Sequence, residues 1–336
     1  MRHPDAAVFR EAAAVLRGGG LVAFPTETVY GLGADASNEN AVSRIYTVKG
    51  RPADNPLIAH IASREQFFEM TEDVPAYGRA LAETFWPGPL TLVARKKSNI
   101  PDWITAGLPT VAVRFPAHPA ARALIEASDT VICAPSANLS GRPSPTCAEH
   151  VRRDLEGRVE MILDSGPVEI GLESTVVDVT GSKPQILRPG FVTVEMLASV
   201  EASAIVSYDG MGVSAPKAPG MKYRHYAPRA DMTVVTGDPR RAAREIRRLA
   251  SLSLQKTGVL ATVQTAGLYD ADRCLVLICG DRDAPETFGA NLFAALRKFD
   301  DCQTEVIFAE GIPETGLGAA VMNRLKKAAG GKIIEV

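Results

Sequence analysis

At 336 residues the chain is long enough for two hydrophobic cores, and 46% apolar with 23% charged residues is the balance of an ordinary globular protein. Thirty-seven basic against thirty-nine acidic side chains argue against a protein whose main business is gripping a nucleic-acid backbone, which carries a basic excess or stripe. No run approaches the roughly 18 consecutive apolar residues of a membrane span, and His3, Pro4, Asp5 and Glu11 interrupt the start where a signal peptide would be apolar. A cytoplasmic location without a membrane partner is expected.

In chain order, Ala6 to Arg17 has apolar residues at helical spacing, and Gly18-Gly-Gly20 stops that helix before a strand over Leu21 to Phe24. The strand empties into a hydroxyl- and glycine-rich turn, Pro25-Thr-Glu-Thr-Val-Tyr-Gly-Leu-Gly33. Asn40 to Lys49 is a short helix running into Lys49-Gly-Arg-Pro-Ala-Asp-Asn-Pro-Leu57. Strands are predicted over Leu57 to Ile61, Leu90 to Arg95, Thr110 to Phe115 and Val131 to Ala134, and helices over Glu65 to Met70, Ala76 to Glu83 and Pro119 to Ala127. This interleaving lacks strict alternation, which points to a mixed sheet. From Ser199 to Arg229 the pattern breaks into Gly210, Gly212, Pro216, Pro219, Gly220 and Pro228, a connection too long to be routine. Beyond it, strands over Met232 to Val235, Gly258 to Thr262, Cys274 to Cys279, Val306 to Glu310 and Lys332 to Val336 alternate with helices over Arg240 to Leu252, Ala284 to Phe299 and Leu317 to Ala329. That is the signature of βαβ units and a small, mostly parallel sheet.

Several chemistries are absent from the sequence. There is no Walker loop, no HExxH, no Gly-x-Ser-x-Gly and no EF-hand spacing. Gly210 to Ala215 fits G-x-G-x-x-A, but Pro216 and Pro219 forbid the helix that a dinucleotide site needs. Cys133, Cys147, Cys274, Cys279 and Cys302 form no Cys-x-x-Cys and no zinc spacing with His, and they read as reduced thiols.

What remains is a candidate anion site. Lys49 and Arg51, one residue apart in a segment that Gly50 and Pro52 keep from being helical, can converge on one polyanion or form a solvated basic loop. Arg114 ends an apolar strand and needs a partner, either a carboxylate of the protein or one of a ligand. His60 lies in a strand and reads by itself as a half-buried structural histidine. Ser136-Ala-Asn-Leu-Ser-Gly141 either closes a turn or lets backbone N–H groups approach a phosphate.

The two N-terminal segments resemble the nucleotide-binding core of the threonylcarbamoyl-AMP synthase family, whose domain is called YrdC-like. The resemblance continues at Thr110-Val-Ala-Val-Arg114, Ala134-Pro-Ser-Ala-Asn-Leu-Ser-Gly141, Glu173-Ser-Thr-Val-Val-Asp178, Ile186-Leu-Arg-Pro-Gly190 and Pro219-Gly-Met-Lys-Tyr-Arg-His-Tyr-Ala-Pro228, the last marking the long, two-domain form. It implies an α/β protein: a YrdC-like mixed twisted sheet with helices over 1–200, a linker over 201–229 acting as an active-site lid, and a smaller Rossmann-like parallel domain over 230–336.

The resemblance also implies a reaction, the condensation of L-threonine, bicarbonate or carbon dioxide, and ATP to threonylcarbamoyl-AMP and pyrophosphate by a nucleotidyltransferase. The product is used to modify tRNAs reading ANN codons through a downstream tRNA threonylcarbamoyl-transferase complex. Lys49 and Arg51 are then the catalytic cations. Thr28, His60, Arg114, Ala134 and Ser174 bind threonine, and Arg51, Asn55, Thr110, Ser136, Ser144, Arg188 and Tyr226 bind ATP, with Lys222 and Arg224 beside Tyr226 adding charge. Magnesium is expected on the triphosphate, with no protein ligand for it apparent. The alternative is a double-stranded RNA-binding module, and weak RNA binding is a possible accompaniment that the near-neutral charge disfavours.

Overall fold

The computed structural model describes residues 6–203, 205–206 and 226–336. Most of the expected linker, including Gly210 to Ala215, Lys222 and Arg224, lies outside the described residues. By their internal contacts the described residues fall into two compact units: Gly141–Ser144 and Ile170–Leu172 group with the chain from Tyr226 onward, and the rest forms the first unit.

The first unit is built on one mixed sheet. Its strands are β1 (Val22–Phe24), β2 (Gly31–Asp35), β3 (Ile58–His60), β4 (Thr71–Glu72), β5 (Leu90–Lys96), β6 (Thr110–Arg114), β7 (Ile132–Ala134), β8 (Met161–Ile162), β9 (Thr175–Asp178), β10 (Gln185–Arg188) and β11 (Ile205–Val206). They lie in the order β11-β10-β9-β5-β6-β3-β7-β2-β1-β8, with β4 added on β5. β3 runs parallel to β6 and β5 parallel to β9, whereas β5–β6, β3–β7 and β9–β10 are antiparallel.

The segment expected to be a turn up to Gly33 becomes strand at Gly31. The glycines are needed there for close packing: a Cβ on Gly33 would stand 2.7 Å from Ile132 Cγ2 and 2.9 Å from the Phe24 ring.

The two faces of the sheet differ in chemistry. Because side chains alternate along a strand, Ala59, Leu90, Leu92, Val111, Val113 and Val177 point into the main core. There they meet Ala41, Val42 and Ile45 of helix Glu39–Lys49, Phe67 and Met70 of Arg64–Met70, and Leu81 and Ala82 of Ala76–Phe85. The opposite face holds a small apolar group, Ile58, Val93, Ala112 and Val176, and, at β1 and β7, a second cluster in which Val22, Phe24, Ile132 and Ala134 meet helices Ala6–Arg17 and Pro119–Ser128. One row further along, the register pairs His60 with Arg114, Arg114 with Thr91, Thr91 with Val176 and Val176 with Arg188. His60, Arg114 and Thr91 on three adjacent strands, and Arg188 beyond Val176, thus place buried polar side chains on the face the main core does not use.

The second unit has five strands, β12 (Asp231–Thr236), β13 (Thr257–Thr262), β14 (Leu275–Gly280), β15 (Val306–Glu310) and β16 (Ile333–Glu335), in the order β14-β13-β15-β12-β16 with every pairing parallel. Helices Pro239–Leu252, Pro285–Asp301 and Leu317–Ala328 connect them. The predicted βαβ alternation is therefore present, with boundaries within two residues for most elements. The strand order places β15 between β12 and β13 and so differs from the 3-2-1-4-5 order of dinucleotide-binding sheets.

Candidate active site

Six of the predicted residues are organised around two turns. After β1, the Thr26 hydroxyl accepts from the N–H groups of Thr28 and Val29 and donates to the Val29 carbonyl, so a side chain replaces the backbone pairing that the turn interrupts. This fixes Thr28, whose hydroxyl shares a 2.8 Å hydrogen bond with that of Thr26 and accepts one from Arg114 Nη1 at 2.8 Å. Arg114 Nη2 meets Glu27 Oε1 at 2.6 Å, and the second Glu27 oxygen accepts from the His118 N–H. The partner question for Arg114 is thus answered within the protein by Glu27. Even so, the buried Nε of Arg114 has no hydrogen-bond partner among the described residues.

Electrostatics set the protonation states here. Burial alone would raise the Glu27 pKa, but the charge and hydrogen bond of Arg114 outweigh it and hold the carboxyl below its usual range. Burial, helped by the charge of Arg114, pushes His60 down to about 3. His60 is therefore a neutral imidazole, its Nδ1–H donating to the Ile58 carbonyl at 3.0 Å and its ring edge-on to Phe24. It can position and hydrogen-bond, but it carries no charge at neutral pH.

Beside this cluster, the Ser174 and Thr91 hydroxyls share a 2.7 Å hydrogen bond. Arg188 donates through Nε and Nη2 to the Ser174 carbonyl at 3.1 and 3.0 Å, and through Nη2 to its hydroxyl at 3.2 Å. The following glycine is required: a Cβ on Gly190 would stand 2.4 Å from the Thr175 nitrogen.

The second turn surrounds Lys49. Helix Glu39–Lys49 starts on Asn38, whose side chain accepts from the Ala41 N–H, and ends at Gly50 in the left-handed region with φ 60°. This exit turns the chain so that Lys49, only 3% exposed, sends its ammonium to the carbonyls of Ser136 (2.5 Å) and Asn138. The Lys49 carbonyl accepts from the Ser140 N–H. The Ser136 hydroxyl donates to Asn138 Oδ1 at 2.5 Å. Arg51 closes its own loop by donating to the carbonyls of Asn55 and Pro56. Asn55 is 1% exposed, and its side-chain oxygen has no hydrogen-bond partner among the described residues.

The register separates these groups along one strand pair. Ile58 pairs with Ala112 and with Ala134, and His60 with Arg114. Counting back from Ile58 puts the Asn55–Pro56 end of the loop level with Thr110 and Ser136. Lys49, Arg51, Asn55, Thr110 and Ser136 therefore gather at one end of β3 and β6, and Thr28, His60, Arg114, Ser174 and Arg188 at the other, with Ala134 between them. About 13 Å separates Thr110 from Arg114 at an ordinary strand rise.

Ser144 and Tyr226 belong to the second unit. Ser144 is 1% exposed. Tyr226, 5% exposed and at φ 66°, stacks on Phe293 with ring centroids 5.3 Å apart, and the Arg324 guanidinium lies 5.7 Å from its ring. The next residue, Ala227, donates to the Gly141 carbonyl, and Arg297 holds the Pro143 carbonyl at 2.6 Å.

Sequence reasoning missed Glu27, Thr91 and Asn138. Glu27 stood in a motif already singled out, next to Thr28, and a charge there before an apolar segment was the available signal. Thr91 had none beyond a hydroxyl inside an apolar strand.

A family model described as "Telomere recombination" matches residues 14–190, and one described as "Threonylcarbamoyl-AMP synthase, C-terminal domain" matches residues 192–330. The threonylcarbamoyl-AMP synthase of Pyrococcus abyssi is 51% identical over 329 residues, covering 97% of this chain and 95% of that protein. That of Bacillus subtilis is 49% identical over 329 residues, covering 96% and 93%. The crystal structure of P. abyssi Sua5 complexed with L-threonine matches with a TM-score of 0.95 at 50% identity, over 100% of this chain and 98% of that one. Escherichia coli YciO, at 24% identity and a TM-score of 0.51 over 56% of this chain, shares the fold of the first unit. These likenesses do not favour the double-stranded RNA-binding reading. Identity of about one half, running through both units and along nearly the whole of each relative, means that the chain belongs to the threonylcarbamoyl-AMP synthase family, enzymes that make an adenylate intermediate.

Proposed function

We propose that this chain condenses L-threonine, carbon dioxide or bicarbonate, and ATP to threonylcarbamoyl-AMP and pyrophosphate, with threonine at the His60–Arg114 end of the β3–β6 pair and ATP at the Lys49–Thr110 end. The observation that carries this reading is the separation just described. Each end also keeps a buried group with unspent hydrogen-bonding capacity, Arg114 Nε at one and Asn55 Oδ1 at the other. Buried polar atoms of native proteins are nearly all paired, so such exceptions fit a site awaiting a ligand.

In this reading Arg114, held rigid by Glu27 and Thr28, receives the threonine carboxylate, and neutral His60 and the Ser174 hydroxyl border the side chain and amine. The amine adds to carbon dioxide and loses a proton, giving a carbamate. A carbamate oxygen then forms a bond to the α-phosphorus as the bond to pyrophosphate breaks in line. Few proton transfers by protein groups are needed, so positioning and charge neutralisation do the work. Arg51 supplies a cation at the nucleotide end, and Arg188, which the register sets at the threonine end, supplies one where the carbamate meets the α-phosphate. Lys49 acts from beneath, its ammonium fixing the Ser136–Asn138 backbone so that this loop faces the phosphates in one conformation. Ala134, midway along the row, offers its backbone to the carbamate end.

Among the described residues no three His, Cys, Asp or Glu side chains gather to hold a metal ion. The donors here are hydroxyls, amides and cations, which suit a triphosphate that brings its own counter-ion. Magnesium enters as part of the nucleotide substrate. No helix among the described residues is long and apolar enough to cross a membrane, and a cytoplasmic site of action is part of the proposal. So are the lid role of the linker with Tyr226, nucleotide contacts by Ser144, and transfer of the product to a tRNA threonylcarbamoyl-transferase complex.

The test is pyrophosphate release from ATP by the purified chain, with threonine and bicarbonate omitted one at a time. Release that requires both is expected. Release with neither present would mark a nucleotide hydrolase and overturn the reading.

A further inference from the structure

The second unit contains a cavity of about 420 Å³ that takes no part in the proposed chemistry. It opens between the C-terminal half of helix Pro239–Leu252 and the segment Tyr269–Cys274. Both elements pack on the same face of the parallel sheet, through Ala242, Ala243 and Ile246 from the helix and Tyr269 and Cys274 from the segment. The cavity has a topological origin. The connection from β13 to β14 contains only the 3-10 turn Ala266–Leu268 where a βαβ unit normally supplies a helix, so the sheet face beside Pro239–Leu252 is incompletely covered.

Its walls are cationic. Arg244, Arg247 and Arg248 line it from the helix and Arg273 from the opposite side. Arg248 is held by Glu245 in a two-pronged pair at 2.6 and 2.8 Å, and Arg273 Nε lies 3.9 Å from Asp270. Arg244 and Arg247 make no hydrogen bond or ion pair among the described residues. Four guanidinium groups thus face two carboxylates. Like charges one turn apart on a helix work against the helix, and nothing in the packing of this unit requires them, because all four arginines are exposed while Ala242, Ala243 and Ile246 supply the buried contacts. The floor, in contrast, is rigid: Tyr269 is buried and its hydroxyl donates to Glu310, which is also held by Thr262 and Thr265.

We infer that this cavity is a second anion site, taking the di- or triphosphate group of a small molecule. A guanidinium fork matches phosphate oxygens two at a time, and the volume lies in the range of small-molecule sites. Two positive charges in excess within so small a space call for a compact multivalent anion, which favours a polyphosphate over an acidic peptide, whose carboxylates come one per residue. A bare pyrophosphate and a nucleoside triphosphate share this chemistry, and the test separates them.

The experiment follows the rate at which phenylglyoxal modifies individual arginines of the full-length chain, read by peptide mass spectrometry. The probes are pyrophosphate, tripolyphosphate and ATP, with sulfate at matched ionic strength as control. With tripolyphosphate at several times its dissociation constant, modification of Arg244 and Arg247 should slow about fivefold by simple occupancy, while Arg122 of the first unit is unaffected. Protection by pyrophosphate equal to that by ATP would identify the diphosphate as the ligand, and stronger protection by ATP would identify a nucleotide; both support the site. No protection, equal slowing at Arg122, or protection by an RNA oligonucleotide but not by tripolyphosphate would overturn it. As a second measurement, calorimetric titration of the Arg244→Ala/Arg247→Ala chain with tripolyphosphate should lose a binding event that the parent chain shows, with threonine-dependent pyrophosphate release unchanged. An unchanged titration would also overturn the proposal.

Discussion

Each unit buries a carboxylate deep in its structure, and the two are treated differently. Glu310, 1% exposed at the end of β15, is surrounded by donors: the N–H and hydroxyl of Thr262, the hydroxyl of Thr265 and the hydroxyl of Tyr269. No cation is needed, and all its partners come from the end of β13 and the segment that follows it. Glu27, 6% exposed, is instead balanced by Arg114, an ion that arrives from 87 residues away and still holds an unspent donor. A saturated network has nothing left for a ligand, whereas one that leaves capacity over can take one, which is the role proposed for Arg114. The burial of a charge does not distinguish the two; the accounting of its partners does.

The largest effect should come from breaking the Glu27–Arg114 pair on one side. Arg114→Ala leaves Glu27 buried without its counter-charge, and a loss of about 3 to 5 kcal/mol is expected from such a change. Threonine-dependent pyrophosphate release should vanish with it. To separate the two consequences, Glu27→Gln/Arg114→Met removes both charges: the urea midpoint should recover most of the way toward the parent while activity stays lost. If activity returned with stability, Arg114 would be a structural cation only. Tyr269→Phe, at the saturated carboxylate, should cost about 1.5 to 3 kcal/mol as a charged hydrogen bond disappears, with the KM values for ATP and threonine unchanged.

The comparison also shows what could be read in advance. The alternation of the second unit was legible because each strand and helix carries its own periodic signal, which nearby residues supply. Thr28, His60 and Arg114 were legible through family motifs, and the sheet register accounts for their proximity. β8 and β9, of two and four residues, pair with β1 and β5 far away in the sequence, so no local pattern announced them. Glu27 went unassigned for the same reason: its meaning depends on a strand that arrives much later. The arginine cavity was invisible because helix Pro239–Leu252 reads as an ordinary solvated basic helix until Arg273 is placed across from it.

Acid should sharpen the contrast between the units. His60 has an ordinary pKa near 6.5 in the unfolded chain and about 3 when folded, so below pH 6.5 the unfolded state binds the extra proton and folding stability falls as pH drops. Between pH 6.5 and about 3 the slope from this residue approaches about 1.4 kcal/mol per pH unit. Glu27 adds to the loss only below 4.5, since its folded pKa is lowered and its stabilisation disappears as it becomes protonated. Unfolding monitored through Trp86 and Trp103, both in the first unit, should therefore weaken from pH 6.5 downward, and His60→Gln should flatten the curve between 6.5 and 4.5. A curve unaltered by that substitution would mean that His60 binds its proton equally well in the folded and unfolded chain, so that burial does not hold its imidazole neutral.

The smallest effect is the most specific. Asn55 is almost completely buried, yet its side-chain oxygen is satisfied by nothing among the described residues. A buried acceptor without a donor costs free energy in the unliganded protein, so Asn55→Ala should leave stability unchanged or slightly raised. If ATP supplies the missing donor, the same substitution should raise the KM for ATP about tenfold, the equivalent of one ordinary hydrogen bond, while the KM for threonine stays where it was. These two responses have opposite signs, and that opposition is the useful part. A structural asparagine would lose stability and leave the KM alone; a binding asparagine, in a loop that the chain leaves incomplete, gives up affinity and keeps its fold. Loss of both together would move Asn55 into the class of Glu310, a residue whose partners lie within its own unit.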